Sequence, residues 1–222
     1  MPVQTSPYKT SVQDLAIEGI SVRLLRIHNI DELYEQLISK SDEDEAIKDE
    51  RIPYWADLWP SAIALSEHIV KHKLINEKTM VHEIACGLGL PGILAGKLGA
   101  TVTFSDYLPE PLEFAKLNWE LNNSSVAKYE LLDWRRPKEN INADLILASD
   151  VAYEKRSFHD LIKAFKLLCK PGVKLILSEP NRDLAKPFIQ KLKEQQLQII
   201  SFEYIIPLNG MNTKVNVYEI SN

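Results

Sequence analysis

Two acidic residues and a run of glycines carry the chemistry most easily read in this chain. Residues 83–92 run Glu-Ile-Ala-Cys-Gly-Leu-Gly-Leu-Pro-Gly, directly after Met80-Val81-His82. Beyond Gly92 a helix-like stretch leads into Thr101-Val-Thr-Phe-Ser and then Asp106. Gly87 and Gly89 let a backbone turn tightly and approach a ligand with no Cβ in the way. An acid at the end of the next strand can accept hydrogen bonds from both ribose hydroxyls of a nucleoside cofactor. The pairing predicts a nucleoside site at the tips of a parallel sheet, with Asp106 on the sugar. Tyr107, beside it, lies against the base or caps the apolar edge of a helix. Glu83 ends the first strand, where it either meets the cofactor's amino group or braces the loop through water or backbone amides.

These residues need a sheet to position them, and the pattern from residue 80 onward provides one. Strand-like stretches fall at 80–85, 101–105, 127–132, 143–149 and 173–178, with helix-like stretches at about 90–98, 109–122 and 157–170. Five strands joined by helical crossovers predict a parallel sheet with helices on both faces. After a further helix near 183–195 come two strand-like runs, 197–205 and 213–220. The loop between them carries the turn signal Asn209-Gly210, so the sheet is expected to close with an antiparallel hairpin. Upstream, 20–26 has mixed strand character, and 30–39 reads as a helix with Asp31 as N-cap. The charge run 41–51, SDEDEAIKDER, reads as a solvated loop or helix end.

Composition narrows the function classes. The chain has 222 residues, 45% of them hydrophobic, and a net charge of −5, which does not predict a broad phosphate-binding face. No apolar run approaches the ~20 residues of a membrane span, and the N-terminus has no h-region, so a cytoplasmic protein without membrane contact is the expectation. A monomer is the default. Cys86 and Cys169 have neither disulfide nor metal spacing. Cys86 also lacks a neighbouring base to activate a thiol. His68 and His72 stand i, i+4 but without the Glu of a zinc helix; with His82 they read as packed or surface residues, and no metal is expected.

Taken in order, the elements resemble the class I, seven-strand methyltransferases that use S-adenosylmethionine, over about residues 52–220. Three motifs sharpen the likeness. Pro53-Tyr-Trp-Ala-Asp-Leu-Trp-Pro60, followed by Ser61–Ser66, is similar to the tryptophan-containing opening helix of the family 16 protein-lysine methyltransferases. Leu132-Asp133-Trp134 resembles that family's short motif after the third cofactor-side strand. Ser149-Asp150-Val151-Ala152-Tyr153 resembles its Asp-x-x-Tyr signature. The resemblance implies an α/β, Rossmann-like, seven-stranded and mostly parallel sheet with a C-terminal antiparallel hairpin. It divides the chain into an N-terminal extension, 1–52, covering the substrate side, and a methyltransferase domain, 53–222.

It also implies S-adenosyl-L-methionine as cofactor and a lysine of a protein partner as methyl acceptor. Trp59, Glu83, Ala85, Gly87, Gly89, Asp106, Tyr107, Asp133, Trp134 and Ser149 then surround the cofactor. Asp133 accepts from the adenine amino group, and Trp134 walls the pocket. Ala85 stands where the family usually has its first glycine. Trp55 and Trp59, i, i+4 apart, are expected to share a helix face. Methyl transfer from a sulfonium is a direct displacement that needs a deprotonated nucleophile, an in-line approach and a dry pocket. Asp150 is placed to orient the acceptor ammonium, and Tyr153 to hydrogen-bond the amine or hold the cation against its ring. Arg135-Arg136 reads as solvated.

Other functions compete. A small molecule could be the acceptor. A nicotinamide-dependent dehydrogenase would use the pattern Gly87-x-Gly89-x-x-Gly92, but the terminal hairpin and the Asp-x-x-Tyr segment argue against it. A binding module that keeps the pocket without turnover stays open. Nucleic acid is not an expected partner: the chain is acidic, and Asp150-Val-Ala-Tyr153 stands where amino-methylating nucleic-acid enzymes often carry Asn-Pro-Pro-aromatic.

Overall fold

A computed structural model describes residues 7–49, 51–136 and 141–222. The N-terminal segment forms a two-stranded antiparallel hairpin, β1 (Thr10–Ile17) and β2 (Ile20–Ile27). Glu18 and Gly19 close it, both left-handed with φ of 47° and 80°, as a tight hairpin turn of this hand requires. The sequence signalled β2 but not β1, whose alternate residues are mostly exposed. Val22, Leu24, Leu25 and Ile27 of β2 are buried in the main core.

Next come α1 (Ile30–Ile38) and the single turn α2 (Glu45–Lys48). The N-cap of α1 is Asn29, not Asp31; the Asn29 side-chain oxygen Oδ1 accepts from the Lys9 amide at 2.8 Å and so makes no side-chain cap on the helix. Asp44, within the charge run, caps α2 by accepting from the Ala46 amide at 2.8 Å. A 3-10 turn at Tyr54–Ala56 precedes α3 (Pro60–Lys71). Pro60 occupies the first helical position, where a missing amide costs nothing. Trp55 and Trp59 therefore do not share a helix face: Trp55 lies in the 3-10 turn and Trp59 is the N-cap of α3.

The main sheet has the order β5-β4-β3-β6-β7-β9-β8. Its parallel strands are β3 (Met80–Ile84), β4 (Thr101–Asp106), β5 (Lys128–Leu131), β6 (Leu145–Ser149) and β7 (Lys174–Glu179). The last two strands, β8 (Gln198–Leu208) and β9 (Met211–Ser221), are longer than their sequence signal and form an antiparallel hairpin in which β9 runs against both β7 and β8. They turn at Asn209-Gly210, both left-handed, with φ of 51° and 76°. The crossover helices are α4 (Leu90–Lys97), α5 (Pro109–Asn122), α6 (Phe158–Leu168) and α7 (Lys186–Lys193). The central strands β3 and β6 are buried almost throughout, as strands covered on both faces must be.

The chain winds from β3 outward to β5, then returns to β6 and winds the other way, so the strand order reverses between β3 and β6. Open α/β sheets bind ligands at the carboxyl ends of the strands flanking such a reversal. One buried side chain ties the N-terminal hairpin to this region. Asn118 of α5 accepts from the Leu25 amide at 2.6 Å and donates to the Leu88 carbonyl at 3.1 Å. Among the described residues, no helix is long and apolar enough to cross a membrane.

Candidate active site

A cleft of about 600 Å³ opens at the tips of β3, β4, β5 and β6. That size suits a ligand of nucleoside dimensions and more. Its floor is the loop after β3. Ala85, Gly87 and Gly89 there are all left-handed, with φ of 50°, 51° and 78°. A Cβ at Gly87 would lie 3.2 Å from the Trp55 carbonyl, so this stretch stays bare. Ala85 is the exception, a non-glycine held in the left-handed region; such positions cost on the order of 1 kcal/mol and persist where surroundings over-determine them. Asp150, on the adjacent tip of β6, is a second, with φ of 54°.

Asp106 stands at the end of β4, 4% exposed, and lines the cleft. Its carboxylate accepts from the Gly87 amide at 3.2 Å and the Leu108 amide at 3.3 Å. Burial pushes its pKa up to about 6. The bonds are long, and both oxygens retain acceptor capacity for ribose hydroxyls.

Glu83 does not line the cleft. It is fully buried beneath the loop, where one oxygen accepts from the Gly92 amide at 2.8 Å in the first turn of α4. A carboxyl oxygen there satisfies an orphan helix amide. Its other oxygen has no partner among the described residues. Burial raises its pKa to about 8. An acid whose folded pKa exceeds its unfolded value holds a proton that the unfolded chain gives up, so stability falls as pH rises toward the folded value. Glu83→Gln, which keeps an acceptor for Gly92, should gain on the order of 2 kcal/mol over the native chain between pH 5 and pH 9. Urea unfolding at the two pH values measures it, and parallel pH profiles would refute it.

Tyr107, Asp133, Trp134 and Ser149 all line the cleft. Asp133 is not free, however. Arg135 donates from Nε to its two oxygens at 2.8 and 3.0 Å, and from Nη1 to Asp49 at 2.7 Å. The same guanidinium lies 5.3 Å from the centre of the Tyr107 ring. Arg135 is therefore an ion-paired strap across the rim rather than a solvated side chain, and Asp49 brings the charge run to the cleft. Arg136 does not line it. A charge run and an Arg pair 86 residues apart give no sign in sequence that they pair, so the strap has no sequence signal.

On the opposite wall, Trp59 donates from its indole to the Tyr54 carbonyl at 2.7 Å. The Tyr54 ring stands edge-on to Trp59 at 6.1 Å and to Tyr153 at 5.4 Å, giving a continuous aromatic wall. Tyr54 escaped the sequence reading although it lies inside the opening motif. Trp55 lines the cleft and also packs on Phe114 and Tyr8 at 5.5 and 5.8 Å. Asp150 is half-buried, its side chain 8% exposed, with both oxygens held by the fork of Arg182. Burial raises its pKa, against the lowering effect of that guanidinium. Arg182 was also missed; it follows β7 in a loop with no motif of its own.

The buried His68 lies away from the cleft. Its ring bridges the Tyr204 hydroxyl at 2.8 Å and Glu219 at 3.0 Å, and burial lowers its pKa to about 4, so it is neutral at physiological pH. It serves packing.

The profile of a lysine methyltransferase family matches residues 43–195, more than half of the chain. The chain belongs to this family. Histone-arginine methyltransferase METTL23 of Homo sapiens is 33% identical over 126 residues, covering 54% of this chain and 66% of that protein. Protein-lysine methyltransferase METTL21E of Bos taurus is 39% identical over 176 residues, covering 73% of this chain and 59% of that protein. The chain thus spans two thirds or less of these relatives. The magnesium protoporphyrin IX methyltransferase ChlM of Synechocystis PCC 6803, solved with bound S-adenosylmethionine, superposes with a TM-score of 0.54 at 14% identity, covering 86% of this chain and 91% of that one. That likeness shows the fold. S-adenosylmethionine is the ligand that the ChlM structure holds. The cleft fits it: a buried carboxylate, a loop bare of side chains and an aromatic wall meet in one space.

Proposed function

We propose that this chain transfers a methyl group from S-adenosylmethionine to the side-chain amine of a lysine in a protein. The observation that carries the reading is the shared cleft: Asp106 and the bare loop lie on one side of the strand reversal, Asp150 and Tyr153 on the other. When bound, the cofactor supplies an electrophilic methyl on sulfur. Asp106 holds the ribose, Gly87 and Gly89 admit the amino-acid tail, and Trp134 and Tyr107 flank the base. Asp150 orients the incoming ammonium before it loses its proton to water. Tyr153 keeps its hydroxyl proton, since burial raises its pKa well above the usual phenol range. It therefore acts as hydrogen-bond partner and ring surface, not as base. Tyr54, Tyr153 and Trp59 present rings to a cationic side chain, which favours an amine acceptor.

On this reading the acceptor-side cover comes from the end of the N-terminal segment, where Asp49 and Ile52 stand on the cleft wall. The hairpin β1–β2 instead braces α5.

The name of the METTL23 relative raises an arginine acceptor as a second reading. The fork of Arg182 on Asp150 favours it, because it demonstrates a guanidinium seated on that carboxylate.

Incubation with methyl-labelled S-adenosylmethionine and an extract of the source cells tests both. A labelled protein band whose label maps to lysine is expected. Label on arginine selects the second reading. Label confined to small molecules, or no transfer, overturns protein methylation.

A further inference from the structure

Two carboxyl groups on the acceptor side, one buried and one half-buried, share one cation. Asp150 gives both oxygens to Arg182: Nη1 contacts Oδ1, and Nη2 lies 3.1 Å from Oδ2. The same Nη1 is 3.7 Å from Oε1 of Glu179, the last residue of β7. Glu179 is 1% exposed, and neither of its oxygens makes a well-formed hydrogen bond among the described residues, only a weak interaction with the Arg182 amide and the distant ion pair with its guanidinium. Buried carboxyl oxygens are rarely left so, and an orphaned pair calls for a reason. A second cavity, of about 200 Å³, is lined by Glu179, Asn181 and Tyr218, and Arg182 lines both it and the main cleft. The guanidinium therefore stands in a wall between two spaces, with a carboxyl group facing each.

We propose that Arg182 is a displaceable stand-in for the acceptor cation: it occupies Asp150 in the resting protein, and the acceptor ammonium takes its place while the guanidinium moves onto Glu179. This rests on the lysine-transfer reading and deepens it. The charges then balance, two cations for two carboxylates, where the resting site is one cation short. No bond is made or broken in the exchange. Burial, and then the charge of Asp150, raises the Glu179 pKa to about 7, which agrees with a carboxyl still waiting for its cation. A guanidinium suits a reversible seat because its planar fork can pair with a carboxylate from more than one side. Arg182 is here a positioning residue: it keeps Asp150 solvated by charge until an amine arrives, and it makes every other cation compete for that seat.

The alternative role, a permanent brace for Asp150, predicts opposite results. The test uses the full chain saturated with S-adenosylhomocysteine at pH 8, and n-butylammonium as the lysine side-chain probe, its Kd read from NMR shifts. Arg182→Gln removes the competitor and should tighten butylammonium binding about tenfold. Glu179→Gln removes the second seat and should weaken it about tenfold, since Arg182 then stays on Asp150. Arg182→Lys keeps the charge and should remain near the native value. Weaker or unchanged binding in Arg182→Gln overturns the proposal, as does a native chain with no affinity for butylammonium. Affinity for S-adenosylhomocysteine checks folding; should Arg182→Gln fail that check, Glu179→Gln decides alone, weakening for and any other outcome against. Loss of label from lysine in the extract experiment would fail the transfer reading separately, whatever the order of these Kd values.

Discussion

Asp106→Ala is expected to lower the affinity for S-adenosylmethionine by about 100-fold, because two charge-assisted bonds to ribose hydroxyls, each worth about 1.5–3 kcal/mol, are lost against partial rehydration. The loss has a second component. Asp106 also accepts from the Gly87 amide, so its removal loosens the loop that must approach the ligand. Asp106→Asn keeps the shape but not the charge and should fall about tenfold. The native carboxyl has a pKa near 6 before ligand binds, raised by burial. Ribose hydroxyls donate to its ionised form, so binding draws the proton off. Affinity should therefore weaken as pH falls through 6 and hold steady above 7, while the Asn variant shows no such dependence. Calorimetry with S-adenosylhomocysteine from pH 5 to pH 8 reads both effects; an unchanged Kd in Asp106→Ala would remove the ribose role.

Most of the sheet was legible because each parallel strand is a short apolar run between helix-like stretches, and because Asn209-Gly210 announces its hairpin. What failed to register has local causes. β1 alternates without burying much, so its sequence looks like a polar segment; only the partner strand and Glu18-Gly19 make it a hairpin. The N-cap of α1 went to Asn29 because a tertiary partner, the Lys9 amide, is one that spacing along the chain cannot reveal. Trp55 and Trp59 have helical spacing, but Pro60 starts the helix after both.

The cleft was legible where chemistry needs a residue type at a strand end: Asp106, the glycines, Asp150 and Tyr153 all line it. It was illegible where the partner comes from far along the chain. Asp49 reaches Arg135 across 86 residues, and Arg182 reaches Asp150 across 32. Neither pair has a motif, since an ion pair constrains charge and position but not sequence separation. Glu83 shows the reverse case. Its place in the motif left open contact with the cofactor's amino group or bracing of the loop through backbone amides, and its carboxyl serves the first turn of α4 from beneath. The motif marks a residue that shapes the loop, and the ligand would feel it through Gly92.

That arrangement makes Gly92 the most sensitive single position in the loop. An alanine in the first turn of a helix normally stabilises by up to about 1 kcal/mol over glycine. Here the added Cβ would lie 2.4 Å from Cε1 of Phe104 and 2.6 Å from Oε2 of Glu83. Phe104 is fully buried on β4, so neither ring nor helix has room to retreat. Overpacking of this kind costs about 3 kcal/mol even after the propensity gain, or roughly 10 °C in Tm for a domain of this size. The Gly92–Glu83 bond would stretch as α4 shifts outward, and the bare loop would move with it, so cofactor affinity should fall together with stability. Phe104→Leu shortens the offending ring and should recover part of the Tm in the double variant, with a coupling of at least about 1 kcal/mol. Recovery should stay partial because the Glu83 clash remains. A stable Gly92→Ala protein with native cofactor affinity, by thermal unfolding and calorimetry, would mean that the loop does not rest on this contact. The third glycine would then be a helix residue like any other.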